Sequence, residues 1–394
     1  MRALEAELAA RLEAQRAARR DRSRAVVESR TAGCTRISVG DRDLLAFCSN
    51  DYLGLSDHPI VTEAFAVAGR RWGVGSGASH LVSGHTREHH ALEEELAEFT
   101  LRRRALLFST GYMANLAVVR AIAGRGDRVH EDRLNHASLI DAALASGARL
   151  RRYPHGDVAT LRERLAAIRD GRTLVATDGV FSMDGDLSPL GALASACRES
   201  GATLFVDDAH GFGVLGEHGR GSVEAAGLEA DDVPVLMCTL GKAVGTFGAF
   251  VAGSEELIET LVQGAREYIY TTALPPAVAA ATRAALKVMT EESWRRTSVL
   301  GHASRFRAEA AGMGLRLTPS TSPIQPLLLG TESSALAASA ALREAGIFVP
   351  AIRPPTVPAG TARLRITFSA AHTATDLDRL LESLAALRER GLLA

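Results

Sequence analysis

The stretch that decides the fold is TLFVDDAHG at residues 203–211. It is a short apolar run that ends in Asp207 and is followed closely by His210. The next apolar run leads into CTLGKAVG at residues 238–245, where Lys242 stands in an apolar, glycine-rich setting. Short apolar runs bounded by polar and glycine residues are typical of buried strands, so both segments are predicted to contribute strands to an interior sheet.

Short apolar runs alternate with helical patterns on both sides of these segments. The alternation predicts an α/β fold with a mostly parallel sheet that is covered by helices on both faces. A second, smaller α/β unit is predicted towards the C-terminus, after a long helix at residues 275–310. The predicted strands are 105–108, 128–130, 149–153, 173–177, 203–206, 233–238 and 248–252, and in the smaller unit 324–329, 347–351 and 363–368.

These elements divide the chain into three predicted segments. An N-terminal helix and its connecting segment occupy residues 1–45, a large domain occupies residues 46–285, and a small C-terminal domain occupies residues 286–394. The N-terminal helix is predicted to be amphipathic because leucines recur every four residues among Ala, Arg and Glu, at Leu4, Leu8 and Leu12.

Composition excludes several classes of partner. The net charge of the 394 residues is −1, so nothing points to a nucleic acid. No apolar stretch is long enough to cross a bilayer, and no membrane association is expected. The four cysteines are widely spaced and match no metal-ligand pattern, so no metal site is predicted and reduced thiols in the cytoplasm are expected.

Lys242 and Asp207 together suit the chemistry of pyridoxal phosphate (PLP). A lone lysine in an apolar segment can form a Schiff base with the cofactor, and an aspartate can pair with the ring nitrogen and keep it protonated. His210 is placed to bond the phenolic oxygen of the ring. The alternatives are that Asp207 caps a helix after its strand and that His210 is structural.

Four further residues suit the rest of such a cofactor. Gly111 and Tyr112 follow a predicted strand and open a helix, where backbone N–H groups can bind a phosphate, although an ordinary turn has the same pattern. Thr239 offers a hydroxyl to the same phosphate. Ser182 also ends a strand, and its Ser-Met-Asp-Gly context is equally typical of a turn.

Three other features have more than one interpretation. His136 can stack on a planar ring or simply begin a helix. Arg353 lies on a proline-rich loop, where a held guanidinium suits bidentate binding of a carboxylate, against the alternative of a surface arginine. Residues 73–78 nearly match the dinucleotide pattern, but a helical pattern precedes them and no helix opens at once, so a nucleotide site is rejected.

The ordered set of these segments resembles the α-oxoamine synthases. These are fold-type-I PLP-dependent transferases that join an amino acid to an acyl thioester with loss of CO2. The likeness runs from about residue 44 to residue 375, which is most of the chain. It rests on NDYLGL (50–55), GSGAS (75–79), HAS (136–138), FSMDGD (181–186), VDDAHG (206–211) and the Lys242 segment.

The resemblance implies a role for each candidate residue. Lys242 is the Schiff-base lysine, Asp207 pairs with the pyridinium and His136 stacks on the ring. The cofactor-binding residues are Gly111, Tyr112, Ser182, His210 and Thr239, with Ser76 on a loop that reaches the cofactor of the other subunit in a homodimer. The substrate-binding residues are Arg24, Asn50, His136 and Thr356, with Arg353 on the amino acid carboxylate.

Residues 351–365 and 79–84 favour the members of the family that use L-alanine and a pimeloyl thioester in biotin biosynthesis. Glycine-using members, such as 2-amino-3-ketobutyrate ligase, differ in both stretches. The thiol carrier is left open between coenzyme A and acyl carrier protein. Two more distant alternatives are an aminotransferase or lyase of the same fold, and a non-catalytic scaffold that retains the fold.

Overall fold

The computed structural model describes residues 2–18, 20–22, 24–168 and 170–393. The chain divides into two compact units. The central unit comprises Asn50–Ser182 and Asp186–Leu300, and the terminal unit comprises Met1–Ser49, Met183–Gly185 and Gly301–Ala394. The predicted division into three segments, with boundaries after residues 45 and 285, is a statement about domains and stays a prediction.

The strands in the described part of the chain are short, and the longest has seven residues. In chain order they are β1 (Ser29–Thr31), β2 (Arg36–Val39), β3 (Arg42–Ala46), β4 (Arg104–Phe108), β5 (Arg128–Asp132), β6 (Arg149–Tyr153), β7 (Thr173–Asp178), β8 (Thr203–Asp207), β9 (Val235–Thr239), β10 (Ala249–Gly253), β11 (Ile324–Gly330), β12 (Ile347–Phe348), β13 (Ala351–Ile352) and β14 (Ala362–Thr367).

Helices alternate with most of these strands, and a short π-helical segment lies at His80–Gly84. None of the helices in the described residues combines the length and apolar character needed to cross a membrane. In chain order they are α1 (Arg2–Ala17), α2 (Pro59–Trp72), α3 (Arg87–Phe99), α4 (Gly111–Ile122), α5 (Ala137–Ser146), α6 (Val158–Ala166), α7 (Leu190–Ser200), α8 (Ser222–Ala225), α9 (Glu255–Gly264), α10 (Arg266–Ile269), α11 (Pro276–Glu291), α12 (Trp294–Gly312), α13 (Glu332–Glu344) and α14 (Ala374–Glu389).

The central unit is built on a seven-stranded sheet in the order β4-β10-β9-β8-β7-β5-β6. Strands β5 to β9 pair in parallel, and only β10 runs antiparallel to both of its neighbours. The predicted mostly parallel sheet of an α/β fold is therefore confirmed. Because parallel strands end at one edge, the residues that follow β7, β8 and β9 are brought together there.

Helices cover this sheet because its central strands are buried on both faces. In β8 the consecutive residues Leu204, Phe205 and Val206 are all buried, although alternate side chains point to opposite faces. One core cluster joins Phe205 to Val118 of α4 and Leu139 of α5. This packing holds the first turns of α4 and α5 beside the carboxyl ends of the strands.

The terminal unit contains a three-stranded sheet in the order β11-β14-β13 and a four-stranded sheet in the order β1-β2-β3-β12. All six residues of β14 are buried. Helix α14 begins with a capping box between Thr373 and Asp376, and it buries leucines at helical spacing, namely Leu377, Leu380, Leu384 and Leu387. The smaller α/β unit expected near the C-terminus is present here.

The long helix predicted at residues 275–310 is interrupted. Helix α11 ends at Glu291, and Glu292 leaves the helical conformation with φ −107° and ψ 53° before α12 begins at Trp294. The side chain of Arg296 donates to the carbonyl of Met289 at 2.8 Å, which satisfies one of the open carbonyls at the end of α11. Helical periodicity on both sides of a two-residue break does not reveal such a side-chain cap.

Two glycines after β8 provide a test of how tightly the next turn is packed. Gly221 has φ +103°, and an added Cβ would lie 1.8 Å from Oδ2 of Asp208, whereas Gly227 has φ +66° with no atom within 4 Å of its Cβ position. Gly227→Ala should cost only the left-handed strain of about 1–2 kcal/mol. Gly221→Ala should cost about 1–3 kcal/mol more, because Asp208 has to move.

The measurement is the free energy of unfolding in urea for the wild type and both variants. Equal losses for Gly221→Ala and Gly227→Ala would show that the turn after β8 tolerates a side chain and that Asp208 is not held against Gly221.

Candidate active site

Two carboxylates meet at the carboxyl edge of the central sheet. Asp178 ends β7, Asp207 ends β8, and the two residues are directly opposite in the parallel ladder. Both are buried. Two charged carboxylates so close together repel each other in a desolvated place, so this edge needs either a proton or a cation between them.

Asp207 is fixed by two donors. Its Oδ1 accepts from the backbone N–H of Ala209 at 3.0 Å, and its Oδ2 accepts from the side-chain amide of Asn115 at 2.7 Å. Asn115 is fully buried in α4, and the same amide donates to Ser138 of α5 at 2.8 Å. The carboxylate therefore has a single orientation that is set by two helices and its own turn.

Asp178, opposite Asp207, has a strongly shifted pKa. Burial raises the pKa of Asp178 well above its ordinary value, and the neighbouring charge of Asp207 raises it further. Its Oδ2 accepts from the backbone N–H of His136 at 2.7 Å. The side chain of Asn135 donates to the carbonyl of Ala176 on the same strand at 2.8 Å. The pair thus favours one negative charge rather than two.

Lys242 lies at one end of a chain of four polar side chains. Its Nζ is 2.9 Å from Nε2 of His210, Nδ1 of His210 is 2.7 Å from the hydroxyl of Tyr52, and that hydroxyl donates to Oδ1 of Asn50 at 3.2 Å. Because the Tyr52 proton is directed at Asn50, Nδ1 of His210 carries the proton that bonds Tyr52. Nε2 of His210 is then the acceptor for Lys242.

His136 begins α5 and leaves its ring exposed at this edge. Its Nδ1 accepts from the backbone N–H of Ser138 at 3.3 Å and lies 2.7 Å from the Ser138 hydroxyl. The same Ser138 hydroxyl accepts a hydrogen bond from the side-chain amide of Asn115. His136 is therefore an N-terminal helix residue, as the alternative interpretation had it, and it is also held beside the residues that orient Asp207. Its stacking role stays a prediction.

The predicted phosphate-binding segment forms the first turn of α4. Thr110 caps this helix, and its hydroxyl accepts from the N–H of Met113 at 3.2 Å, which leaves the turn at Gly111 and Tyr112 as a backbone donor surface. Tyr112 is largely exposed and donates to Asp141. Thr239 ends β9, and its hydroxyl donates to the carbonyl of Gly248 at 3.1 Å. Contact of these groups with a phosphate stays a prediction.

Ser182 and Ser76 lie on loops of the central unit. Ser182 follows Phe181, whose N–H donates to the carbonyl of Asp186 and closes the turn between them. Ser76 donates to the carbonyl of Leu274 at 2.5 Å. Next to it, Val74 is 95% exposed. A loop that presents an apolar side chain to solvent is consistent with the predicted contact to a second subunit. That contact stays a prediction.

Arg353, Thr356 and Arg24 belong to the terminal unit. Arg353 donates to the backbone carbonyl of Asp21 at 3.1 Å, and the hydroxyl of Thr356 accepts from Arg22 at 3.3 Å. Arg24 is exposed. The arginine that bonds Thr356 is Arg22, which lies two positions before Arg24 in the sequence. The substrate contacts expected of these residues stay predictions.

Three residues that position the predicted site, Asn115, Asp178 and Tyr52, were not identified as such from the sequence. Each is buried in the structure. In the sequence, the available signal was a polar residue in or beside an apolar element. Their partners are far away in the chain. Asn115 is 92 positions from Asp207, and Tyr52 is 158 positions from His210.

The side chains present fit PLP. A basic amine at Lys242 can hold its aldehyde carbon, a buried carboxylate at Asp207 can pair with a protonated ring nitrogen, and the first turn of α4 can bind an anionic phosphate. The Asp207 carboxylate and the first turn of α4 have charges opposite to those of the cofactor groups they would meet, and the Lys242 amine would act as a nucleophile.

Comparison with known proteins gives the same indication. The model of the family "Aminotransferase class I and II" matches residues 42–384. The 8-amino-7-oxononanoate synthase of Methylococcus capsulatus is 63% identical over 351 residues, which cover 89% of this chain and 91% of that protein.

Two solved structures are also similar. A serine palmitoyltransferase from S. paucimobilis, solved with PLP and myriocin bound, has a TM-score of 0.93 at 31% identity and covers 98% of each chain. The 8-amino-7-oxononanoate synthase of Francisella tularensis has a TM-score of 0.78 at 32% identity and covers 89% of this chain and 99% of that one. The fold prediction of a fold-type-I transferase is thereby confirmed.

His155 provides a pH-dependent test of how the loop carrying Ser182 is held. Hydrogen bonds to Asp132 at 2.9 Å and Asp186 at 2.7 Å raise the pKa of His155 to about 10. Because the folded-state pKa of His155 lies above its unfolded value of about 6.5, the protonated imidazole stabilises the folded state. This stabilisation is complete at pH below about 6.5 and is lost as the pH rises through the folded-state pKa.

The melting temperature of His155→Gln should therefore lie below that of the wild type at pH of about 6.5, and the difference should shrink as pH approaches about 10. Thermal unfolding of both proteins at several pH values between these limits is the measurement. A difference that is constant across the range would mean that His155 acts by packing on Phe181 and not by charge.

Proposed function

Because the chain belongs to the 8-amino-7-oxononanoate synthases, within the class I and II aminotransferase family, we propose that it condenses L-alanine with a pimeloyl thioester. The products are 8-amino-7-oxononanoate, CO2 and the free thiol carrier, as a step of biotin biosynthesis. The enzyme is a PLP-dependent acyltransferase. The observation that carries the proposal is the approach of Lys242 Nζ to His210 Nε2 at 2.9 Å, in the same unit as a buried, amide-bonded Asp207.

PLP supplies an electron sink for negative charge at the α-carbon of the amino acid. The chain supplies a base and an acid at that carbon. Nζ of Lys242 holds the cofactor at rest, and after release it removes the α-proton of alanine and later returns a proton to the product. Nε2 of His210 accepts a hydrogen bond from the Lys242 amine. This bond orients the lone pair of Nζ away from His210.

Asp207 would pair with the pyridine nitrogen, and the bonds that Asn115 and Ala209 donate to its carboxylate orient it for that contact. Burial raises the pKa of the neighbouring Asp178 well above its ordinary value, which disfavours a second negative charge beside Asp207. A single fixed charge in a desolvated edge is a strong electrostatic partner for a protonated ring nitrogen. The exposed imidazole of His136 is proposed to stack on the face of the cofactor ring.

The remaining candidate residues are assigned to the substrates. We assign the alanine carboxylate to Arg353, whose guanidinium can make two parallel bonds. Asn50, Thr356 and Arg24 are proposed to contact substrate, with Arg22 as the arginine that already bonds Thr356. The acyl donor is a pimeloyl group on coenzyme A or on acyl carrier protein.

We further propose that the enzyme is a cytoplasmic homodimer. Support comes from the exposed loop that carries Ser76, which suits a two-fold closed assembly in which each subunit contributes to the site of the other. The absence of a disulfide among the cysteines of the described residues is consistent with a reducing compartment.

The direct test is product formation by the purified holoenzyme. L-alanine with pimeloyl-CoA or pimeloyl-acyl carrier protein should yield 8-amino-7-oxononanoate by mass spectrometry, with one CO2 and one thiol released per product. Glycine with acetyl-CoA is the matched control for the glycine-using relatives. Faster turnover with glycine, or transfer of an amino group without release of a thiol, would replace the proposed reaction.

Lys242→Ala should lower turnover by several orders of magnitude, because no other amine is available at the cofactor. Lys287 is the one other lysine of the chain, lies 70% exposed on α11 and is the matched control. Lys287→Ala should retain wild-type turnover. Initial rates of thiol release for the three proteins give the comparison, and equal loss in both variants would contradict the assignment of Lys242.

Asp207→Asn should bind PLP and yet slow the exchange of the alanine α-proton by orders of magnitude. An amide keeps the shape and the contact with Asn115, but it removes the charge that holds the ring proton. Loss of the α-proton signal in deuterated buffer, followed by NMR, is the measurement. Asp170→Asn, at an exposed carboxylate, is the control. Exchange at the wild-type rate in Asp207→Asn would leave Asp207 as a structural residue only.

A further inference from the structure

A second cluster of titratable side chains lies at the start of α3, outside the site described above. The stretch HLVSGHTREHHALEE at residues 80–94 brings four histidines and Glu93 together. The ring centroid of His85 lies 5.3 Å from that of His80, 5.8 Å from that of His89 and 5.7 Å from that of His90. We call this group the His85 cluster.

Three members of the cluster offer ligand atoms to a single point. One atom each from His85, His90 and Glu93 lie within 4.8 Å of one another. Donor atoms around a tetrahedral zinc ion, at about 2.0–2.1 Å from the metal, are about 3.4 Å apart. Closing the remaining distance requires small side-chain rotations. The exposed His90 is free to make them, because it stands on the surface of α3.

The ligand atoms of His85 and Glu93 are already oriented from behind. Nδ1 of His85 is 3.0 Å from Nδ1 of His80, so Nε2 is the nitrogen that faces Glu93, at 3.9 Å from its Oε2. The other oxygen of Glu93 accepts from the backbone N–H of Leu107 at 2.9 Å. Zinc-binding imidazoles and carboxylates have such supporting bonds at the atom that does not touch the metal.

Space for the ion and for a water ligand lies beside the cluster. An open hollow of about 410 Å³ is lined by His85 and His90 together with Thr86, Arg87, Ala91 and Glu94. The charges of Arg87 and Glu94 at its rim are opposite. Solvent can therefore reach the two histidines directly, which gives a metal ion its entry path.

We propose that His85, His90 and Glu93 bind one divalent ion of the zinc class, with water as the fourth ligand. The histidine and carboxylate donors suit zinc better than magnesium or calcium, which prefer oxygen ligands alone. His85 precedes α3 and the other two residues stand three apart on it, so the set matches no familiar ligand motif. For this reason the spacing of the cysteines and of other ligand residues in the sequence predicts no metal site.

Metal binding here would stiffen the loop that carries Ser76. His89 of the same cluster has its Nε2 2.7 Å from the carbonyl of Leu274, and Ser76 donates to that same carbonyl. A ligand that binds only the folded chain raises its stability with the logarithm of the ratio of ligand concentration to dissociation constant. The ion is thus a structural clamp on residues 76–93 and takes no part in the chemistry at Lys242.

The experiment measures zinc binding by the chelator-treated and dialysed holoenzyme, in competition with a chromophoric zinc chelator. The wild type should bind one zinc per chain with high affinity. His90→Ala and His85→Ala should each weaken that binding at least about tenfold, and Glu93→Gln should weaken it similarly. His218→Ala is the matched control, because His218 also lies beside a glutamate and a neighbouring arginine but outside the cluster, and it should bind zinc as the wild type does.

His90 is exposed, so His90→Ala is expected to keep the fold and the PLP absorbance whatever happens to the buried variants. Zinc should also raise the melting temperature of the wild type and of His218→Ala, but not that of His90→Ala. Wild-type zinc affinity in the His85→Ala/His90→Ala double variant would overturn the proposal. So would a wild type that binds no more zinc than this double variant.

Discussion

The desolvated carboxylate of Asp207 at the end of β8 is the constraint on which the rest of the central unit depends. A buried charge is tolerated only when donors surround it, and here the donors come from Ala209 in its own turn and from Asn115 in α4. Asn115 in turn bonds Ser138 in α5. Two helices and a strand are thereby tied to one carboxylate, and the first turn of α4 is placed relative to that carboxylate.

The same constraint explains why the neighbouring carboxylates are treated differently. Asp178 accepts from the N–H of His136, and burial raises its pKa well above the ordinary value. Asp208 accepts from the backbone N–H of Ser222 at 2.7 Å in the turn before α8, and it occupies the space that a side chain at Gly221 would need. The three acids differ in their surroundings: Asp207 is the proposed ring partner, Asp178 has a raised pKa, and Asp208 anchors a turn.

Much of this arrangement was accessible from the sequence, and the exceptions share one property. Hydrophobic runs predicted the mostly parallel sheet, and the ordered motifs around Lys242 predicted the family. Asn115 and Tyr52 were missed because their roles depend on partners 92 and 158 positions away. The bond from Arg22 to Thr356 was likewise not foreseen, and α11 and α12 were predicted as one helix. Each of these lies where a specific side-chain contact, not a periodic pattern, decides the outcome.

Local pattern, residue chemistry and the ordered motifs were sufficient to predict the α/β class, the PLP cofactor and the family. They were sufficient because strands, helix starts and short motifs are features of neighbouring residues. The tertiary structure alone decided that burial raises the pKa of Asp178, how His210 connects Tyr52 to Lys242, and that His85, His90 and Glu93 converge. These depend on burial and on distances between segments that are remote in the chain, and a linear sequence contains neither quantity.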